Sequence, residues 1–349
     1  MLKLDFYESG HGETILITFP SGGIGVVDAH PSTKGSRAPI LELVRDRRIH
    51  FVCLTHPHSD HGVDLTPILD SQEKIDSFWH TVSDVDAFIY GIEETRNFPG
   101  PNRQVALDLR RGWAEFLIDL FAAVVKRAED SGMEVHQLRD DLRHRVIDNV
   151  EIHCLSPEER IKHKFIATYR KRFEGRDADI PDPNLLSAIL VLKYGKSVVV
   201  LGGDALKANW HTVVKKFREY RLPKASVLKV PHHGALNAII LHPKHKESNY
   251  LEICSRLPKA VLFAGDSKHP HPKVYEKLRE KTDLFCLSNG LKDAPGDSDP
   301  LRLGLLGARA ISLPKVCNPF VGFELDAHGT VRVVSGTNCG HLRKFTPDR

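Results

Sequence analysis

Short apolar runs, bounded by glycine, proline or charged residues, recur along the chain. They fall at Leu2–Phe6, Thr14–Phe19, Ile24–Asp28, Phe51–Leu54, Val150–Leu155, Leu185–Tyr194, Ser197–Leu201, Ala225–Val230 and Ala260–Gly265. Their length and β-branched content predict strands, and the runs with no polar alternation predict strands buried on both faces. Gly10 and Gly12, Gly22 and Gly23, and Gly195 mark tight turns between them. A different period appears in between. Pro39–Arg47 places Leu41, Leu43 and Val44 on one side, and a helix is expected to start within Val63–Leu69. Leu107–Ala128 repeats Leu109, Trp113, Phe116, Leu117, Leu120, Phe121, Val124 and Val125 at steps of three and four, which predicts an amphipathic helix. Lys273–Glu280 is expected to be helical, with Pro272 suited to its first turn. The closing segments Gly322–Asp326 and Gly329–Val334 read as a hairpin.

The chemistry gathers where apolar runs stop. Phe51–Leu54 leads into Thr55-His56-Pro57-His58-Ser59-Asp60-His61-Gly62. His56 and His58 alternate, so an extended backbone leaves both on one side. The chain can turn at Ser59 and bring Asp60 and His61 beside them. Imidazole and carboxylate together suit zinc, manganese or iron, and a cluster this dense can hold two neighbouring ions. With 20 His in 349 residues, a single histidine means little and the spacing carries the argument. Two further runs end in paired histidines, Pro231-His232-His233-Gly234 and His269-Pro270-His271-Pro272.

His-x-His-x-Asp-His after an apolar strand resembles the first metal motif of the metallo-β-lactamase-fold hydrolases. The resemblance implies an α/β chain, an αβ/βα four-layer sandwich with metals at the sheet edge. Gly10-His11-Gly12-Glu13 and Asp28, then His-His-Gly and His-Pro-His-Pro, are similar to the soluble hydrolase domain of ComEC-type competence proteins. Glu13 stands here for an aspartate, His30 for a glycine, His58 for an aspartate and Ala235 for a serine. Asn184-Leu185-Leu186-Ser187 matches that branch's Asn-x-x-Ser, where lactonases and β-lactamases carry a histidine. Gly202-Gly203-Asp204 matches the fourth metal motif of the fold. On this resemblance the chain is expected to be one domain over 1–349, with a largely helical insertion at about 90–147.

The site implied is asymmetric. His56, His58, Asp60, His61, Asp204 and His233 are the expected ligands of two divalent ions, Zn or Mn, with Asp204 bridging. Either His232 or His233 can complete the second position, and the spacing does not choose between them; His233 is expected as the ligand. Asp60, His232, His269 and His271 are the candidate catalytic residues, and Asn184 and Ser187 are expected at the substrate. The reaction implied is phosphodiester hydrolysis by a metal-bound hydroxide, as in a nuclease. The alternatives are a carbonyl-ester, lactone or thioester hydrolase of the same fold, or a non-catalytic metal-binding regulatory or defence-partner protein.

Composition changes this picture little. Hydrophobic residues at 41% and charged ones at 27% fit an ordinary globular chain, and a net charge of +4 does not by itself argue for nucleic acid. No apolar run is long enough to span a bilayer, and the amino-terminal residues lack a signal-peptide core. The six cysteines are scattered and read as reduced, so a cytoplasmic location is expected. The 107–128 helix is a candidate surface for self-association or a protein partner. The basic stretches Lys162-His163-Lys164 and Tyr169–Phe173 are candidate phosphate contacts.

Overall fold

The computed structural model describes residues 1–10, 12–31, 40–72, 74–82, 103–140, 142–173, 176, 182–239, 249–264, 269–287 and 320–336. Within these, only the backbone is described for 103–115, 142–144, 169, 170, 172 and 173. In β1 (Leu2–Ser9), Leu2, Leu4 and Phe6 alternate with Lys3 and Asp5, so one strand face is apolar. Gly10, at φ 65°, helps turn the chain into β2 (Gly12–Thr18), which pairs antiparallel with β1. β3 (Ile24–Val27), β4 (Ile49–Leu54), β5 (Ser77–His80) and β6 (Glu134–Gln137) then add in parallel to one another. The carboxyl-terminal hairpin β14 (Phe320–Leu325) and β15 (Val331–Ser335) closes the other edge, giving the order β15-β14-β1-β2-β3-β4-β5-β6.

The second sheet runs β13-β12-β11-β10-β9-β8-β7. Its strands are β7 (Leu142–Ile147), β8 (Val150–Cys154), β9 (Leu190–Tyr194), β10 (Ser197–Leu201), β11 (Ala225–Lys229), β12 (Cys254–Phe263) and β13 (Asp283–Leu287). From β10 to β13 the pairing is parallel. The inner faces of both sheets share one core, in which Phe6 meets Phe263, Phe285 meets Phe323, and Phe51 stacks on Trp79 at 3.8 Å between ring centroids.

Helices seal the outer faces. α1 (Ile40–Val44) is followed by α2 (Ser59–Gly62) and α3 (Leu65–Ser71). With α4 (Arg103–Ser131), α1 and α3 cover the first sheet, α4 through Leu117, Leu120, Phe121 and Val124. α5 (Glu159–Phe173) contributes Phe165 to this layer. On the second sheet, α6 (Lys207–Glu219) buries Trp210, Val213, Val214 and Phe217, and α7 (Pro272–Lys281) buries Val274, Tyr275 and Leu278. Both are one-sided helices of the kind periodicity predicts. The result is an α/β chain with the four-layer αβ/βα architecture of the metallo-β-lactamase type.

Several elements differ from the sequence reading. β9 starts only at Leu190, because Pro183–Leu186 forms a 3-10 turn capped by Asp182. Within 90–147, expected to be largely helical, the described residues are mostly the helix α4, followed by the edge strands β6 and β7, which the sequence reading did not anticipate. Lys162 of the basic stretch is fully buried, its Nζ donating to Leu138 O at 3.0 Å, so it is withdrawn from any phosphate. Cys53 and Cys154 are free thiols in the shared core, as expected of small apolar side chains. In both sheets the parallel strands send their carboxyl ends to one edge, where side chains that follow β3, β4, β10 and β11 meet.

Candidate metal centre

On the first sheet the centre is built from the outside inward. Asp28, the residue after β3, is fully buried at φ 54°, a left-handed conformation that a non-glycine residue holds only under constraint. Its Oδ1 accepts from Thr55 N at 2.8 Å, and its Oδ2 accepts from Thr55 Oγ1 at 2.7 Å and lies 2.7 Å from His61 Nδ1. That carboxylate fixes the His61 ring so that Nε2 faces the centre. The single turn of α2 brings Asp60 alongside, with Oδ2 at 3.7 Å from His61 Nε2. His56, fully buried, points Nε2 at His58 Nδ1 across 3.1 Å.

The second sheet supplies the other half. β10 runs into Gly202-Gly203-Asp204, and Gly203 has φ 47° with Ala188 O where a Cβ would stand at 3.0 Å, so glycine is required there. Asp204 donates its backbone N–H to Ser187 Oγ at 3.2 Å. Its Oδ2 lies 3.5 Å from His233 Nε2, 3.6 Å from His61 Nε2 and 4.0 Å from His232 Nε2. His232 and His233 are both left-handed, at φ 48° and 50°. This strained turn separates their rings by 6.5 Å. His232 Nε2 lies 3.4 Å from Asn184 Nδ2, and the His232 ring is 5.7 Å from that of His269.

Burial and neighbouring charge set the protonation states. Burial and the nearby His61 and His58 hold the His56 pKa well below its ordinary value. His58 is lowered, chiefly by burial. Burial takes His233 down to about 4, against the pull of Asp204. Burial also opposes charge on His61, but Asp28, Asp204 and Asp60 together raise its pKa well above the usual range. For Asp204 burial is outweighed by His233, His61 and Lys229, which hold the carboxyl well below the usual range. Neutral His56, His58 and His233 keep a lone pair for a cation, and Asp204 stays ionised.

The donor set fits a divalent ion. Glu13, His61, Asp204 and His233 are all buried and place ligand atoms within 4.8 Å of one another. His61 Nε2 and His233 Nε2, the ring atoms that face the cluster, are buried without a hydrogen-bond partner among the described residues. Leaving such atoms unsatisfied costs about 1–3 kcal/mol each, which coordination would offset.

The structure brings His56, His58, Asp60, His61, Asp204, His232, His233 and Asn184 to one place. Ser187, expected at the substrate, is instead fully buried and holds the backbone of Asp204. His269 lies beside His232. His271 is the amino-terminal cap of α7, its Nδ1 accepting from Lys273 N at 3.3 Å, which is a local role. Glu13, Asp28 and Lys229 were not among the residues that the sequence assigned to the centre. Glu13 carried a signal, since it occupies the aspartate position of the Gly-x-Gly-Asp resemblance. Lys229 carried none beyond being a charge inside an apolar strand.

No family model matches the sequence, and no curated protein matches it either. Among solved structures, the chain is similar to an E377D mutant of the CmlA β-hydroxylase at 13% identity and TM-score 0.44, covering 82% of this chain and 52% of that one. It is also similar to Igni18, a metallo hydrolase from the hyperthermophilic archaeon Ignicoccus hospitalis KIN4/I, at 11% identity and TM-score 0.38, covering 82% and 96% of the two chains. A third is Zn-bound PqqB from Methylobacterium extorquens, at 9% identity and TM-score 0.44, covering 82% and 98%. The chain thus spans about half the length of the CmlA hydroxylase. At such identities and scores these proteins bring no chemistry to this chain.

Proposed function

We propose that this chain is a metal-dependent hydrolase acting on phosphodiesters, with nucleic acid among the candidate substrates. The observation that carries the hydrolase reading is the buried, unpartnered set of imidazole and carboxylate atoms at the shared sheet edge. His61, His233, Asp60 and Asp204 would hold one divalent ion, Zn or Mn, and His56 and His58, beside Asp204, a second. Bound there, such an ion supplies a hydroxide nucleophile near neutral pH and neutralises charge on phosphoryl oxygens. The phosphodiester preference is supported by the ComEC-like residues, above all Asn184 where carbonyl hydrolases of the fold carry histidine.

The protein's own groups have separable tasks in this reading. Asp60 has a side chain 34% exposed and His232 one 14% exposed, so they mark the side from which substrate enters. Asp28 and Ser187 hold ligands and touch no substrate. His232, with His269 beside it, would give a proton to the leaving oxygen. Asn184 is placed to steady His232 or donate to the phosphate.

Hydrolysis of bis-p-nitrophenyl phosphate, nitrocefin and a lactone, each with added Mn, Zn or Mg, tests the substrate class. Turnover of the phosphodiester alone is expected. Turnover of nitrocefin or the lactone without the phosphodiester would move the assignment to carbonyl chemistry.

A further inference from the structure

Lys229 is fully buried on β11, in the midst of a centre whose purpose is to attract cations. Its Nζ donates to Gly203 O at 2.7 Å, pairs with Glu13 Oε1, and lies 3.5 Å from Asp204 Oδ1. A buried ammonium persists only when its partners replace its hydration, and these three oxygens do so. The acidic side chains around the centre then fall into two groups. Asp28 is engaged by Thr55 and His61, and Glu13 by Lys229. Asp60 and Asp204 keep an oxygen turned to the imidazole Nε2 atoms.

The ring atoms give the same division. Asp204 Oδ2 and Asp60 Oδ2 face His61 and His233 at Nε2. Glu13 lies behind both rings, with Oε2 at 3.8 Å from His61 Nδ1 and Oε1 at 3.8 Å from His233 Nδ1. A carboxylate on the Nδ1 side is where a histidine ligand finds its supporting acceptor, as Asp28 already shows for His61. Glu13 therefore belongs behind the ligands, although its oxygens lie within ligand distance of the cluster.

Resting on the metal reading above, we propose that Lys229 is a positioning residue of the centre, with Glu13 as its buried partner and not a metal ligand. Lys229 attracts Asp204 Oδ1 while Ser187 holds the Asp204 backbone. Oδ2 is then left facing Nε2 of His61, His232 and His233. Lys229 also fills the space behind Asp204, so an ion would be held on the Nε2 side.

The test is metal affinity, measured by calorimetric titration of chelator-stripped protein with Zn or Mn, with the absorption spectrum of the Co(II) form as a second readout. Glu13→Gln keeps the shape and an acceptor for Lys229 but removes the paired carboxyl, and is expected to lose clearly less metal affinity than Asp204→Asn. Glu13→Gln/Lys229→Met removes the buried pair together and leaves no orphaned charge; about 10–100-fold weaker binding and an altered Co(II) spectrum are expected, as for loss of other supporting residues. The proposal is overturned if the double variant binds as tightly as wild type, or if Glu13→Gln alone loses as much affinity as Asp204→Asn. Should the double variant fail to fold, the Glu13→Gln comparison still decides whether Glu13 is a ligand. A wild-type chain that takes up no ion overturns the metal reading itself, and this proposal with it.

Discussion

A carboxylate that meets three donors, as Asp28 meets Thr55 N, Thr55 Oγ1 and His61 Nδ1, has no freedom left to move. It fixes one ring orientation of His61 and so decides where Nε2 points. Asp28→Asn replaces one accepting oxygen with an amide that cannot accept from His61 and Thr55 together. About 10–100-fold weaker metal binding is expected, read by the same titration; unchanged affinity would place the orienting role elsewhere. Asp5 shows the opposite case, a carboxyl that gains nothing from its site. Burial raises its pKa from 3.8 to about 6, despite Lys3 and Arg47 nearby. The folded state therefore binds this proton more tightly than the unfolded chain does, so its contribution is present below pH 3.8 and is lost as pH rises through about 6. Asp5→Asn should raise stability by about 1–2 kcal/mol at pH 7 and by little at pH 4, measured by urea unfolding at both values. At this scale the sequence was most legible where residues repeat, as in His56–His61. Lys229 escaped it because a lone charge in a strand reads the same whether it is buried or solvated, and Glu13 was marked only by its place in the Gly-x-Gly-Asp resemblance.

Among the elements, α4 shows what periodicity does and does not tell. Its step of three and four foretold the buried stripe Leu117, Leu120, Phe121 and Val124, which packs on the first sheet beside α3. Arg127 ties the same helix to the end of α3 through Leu69 O at 3.0 Å and Gln72 O. Leu120→Ala should cost about 2–5 kcal/mol, whereas Val125→Lys, at a position 55% exposed, should change stability by less than about 0.5 kcal/mol. Chemical unfolding of the two variants checks this, and equal losses would mean that the helix buries a different face. β5 and β6 went unread for physical reasons. β5 is only Ser77–His80, too short to show a period, and the mostly exposed Glu134–Gln137 of β6 carries no apolar pattern. They join the sheet through parallel backbone pairing, which leaves little mark on side-chain choice.

For the whole molecule, the sandwich matters because neither sheet holds the centre alone. His61 comes from the first sheet and Asp204 and His233 from the second, and their contacts cross the gap between carboxyl ends. The four-layer order was legible from a motif plus alternating strands and helices. Which of His232 and His233 faces His61 was not, because it depends on two successive left-handed residues that no spacing reveals. Among the described residues no helix is long and apolar enough to cross a membrane. The central claim is that this shared edge binds a divalent ion that hydrolysis requires. It is tested most directly by measuring metal content and bis-p-nitrophenyl phosphate hydrolysis on the same samples of wild type and Asp204→Asn, before and after chelation and after Zn or Mn is restored. The expected result is stoichiometric metal in wild type, activity lost on chelation and regained with the ion, and an Asp204→Asn variant that is folded but deficient in both. Hydrolysis that survives in metal-free protein, or an Asp204→Asn variant equal to wild type in metal and rate, would contradict the account.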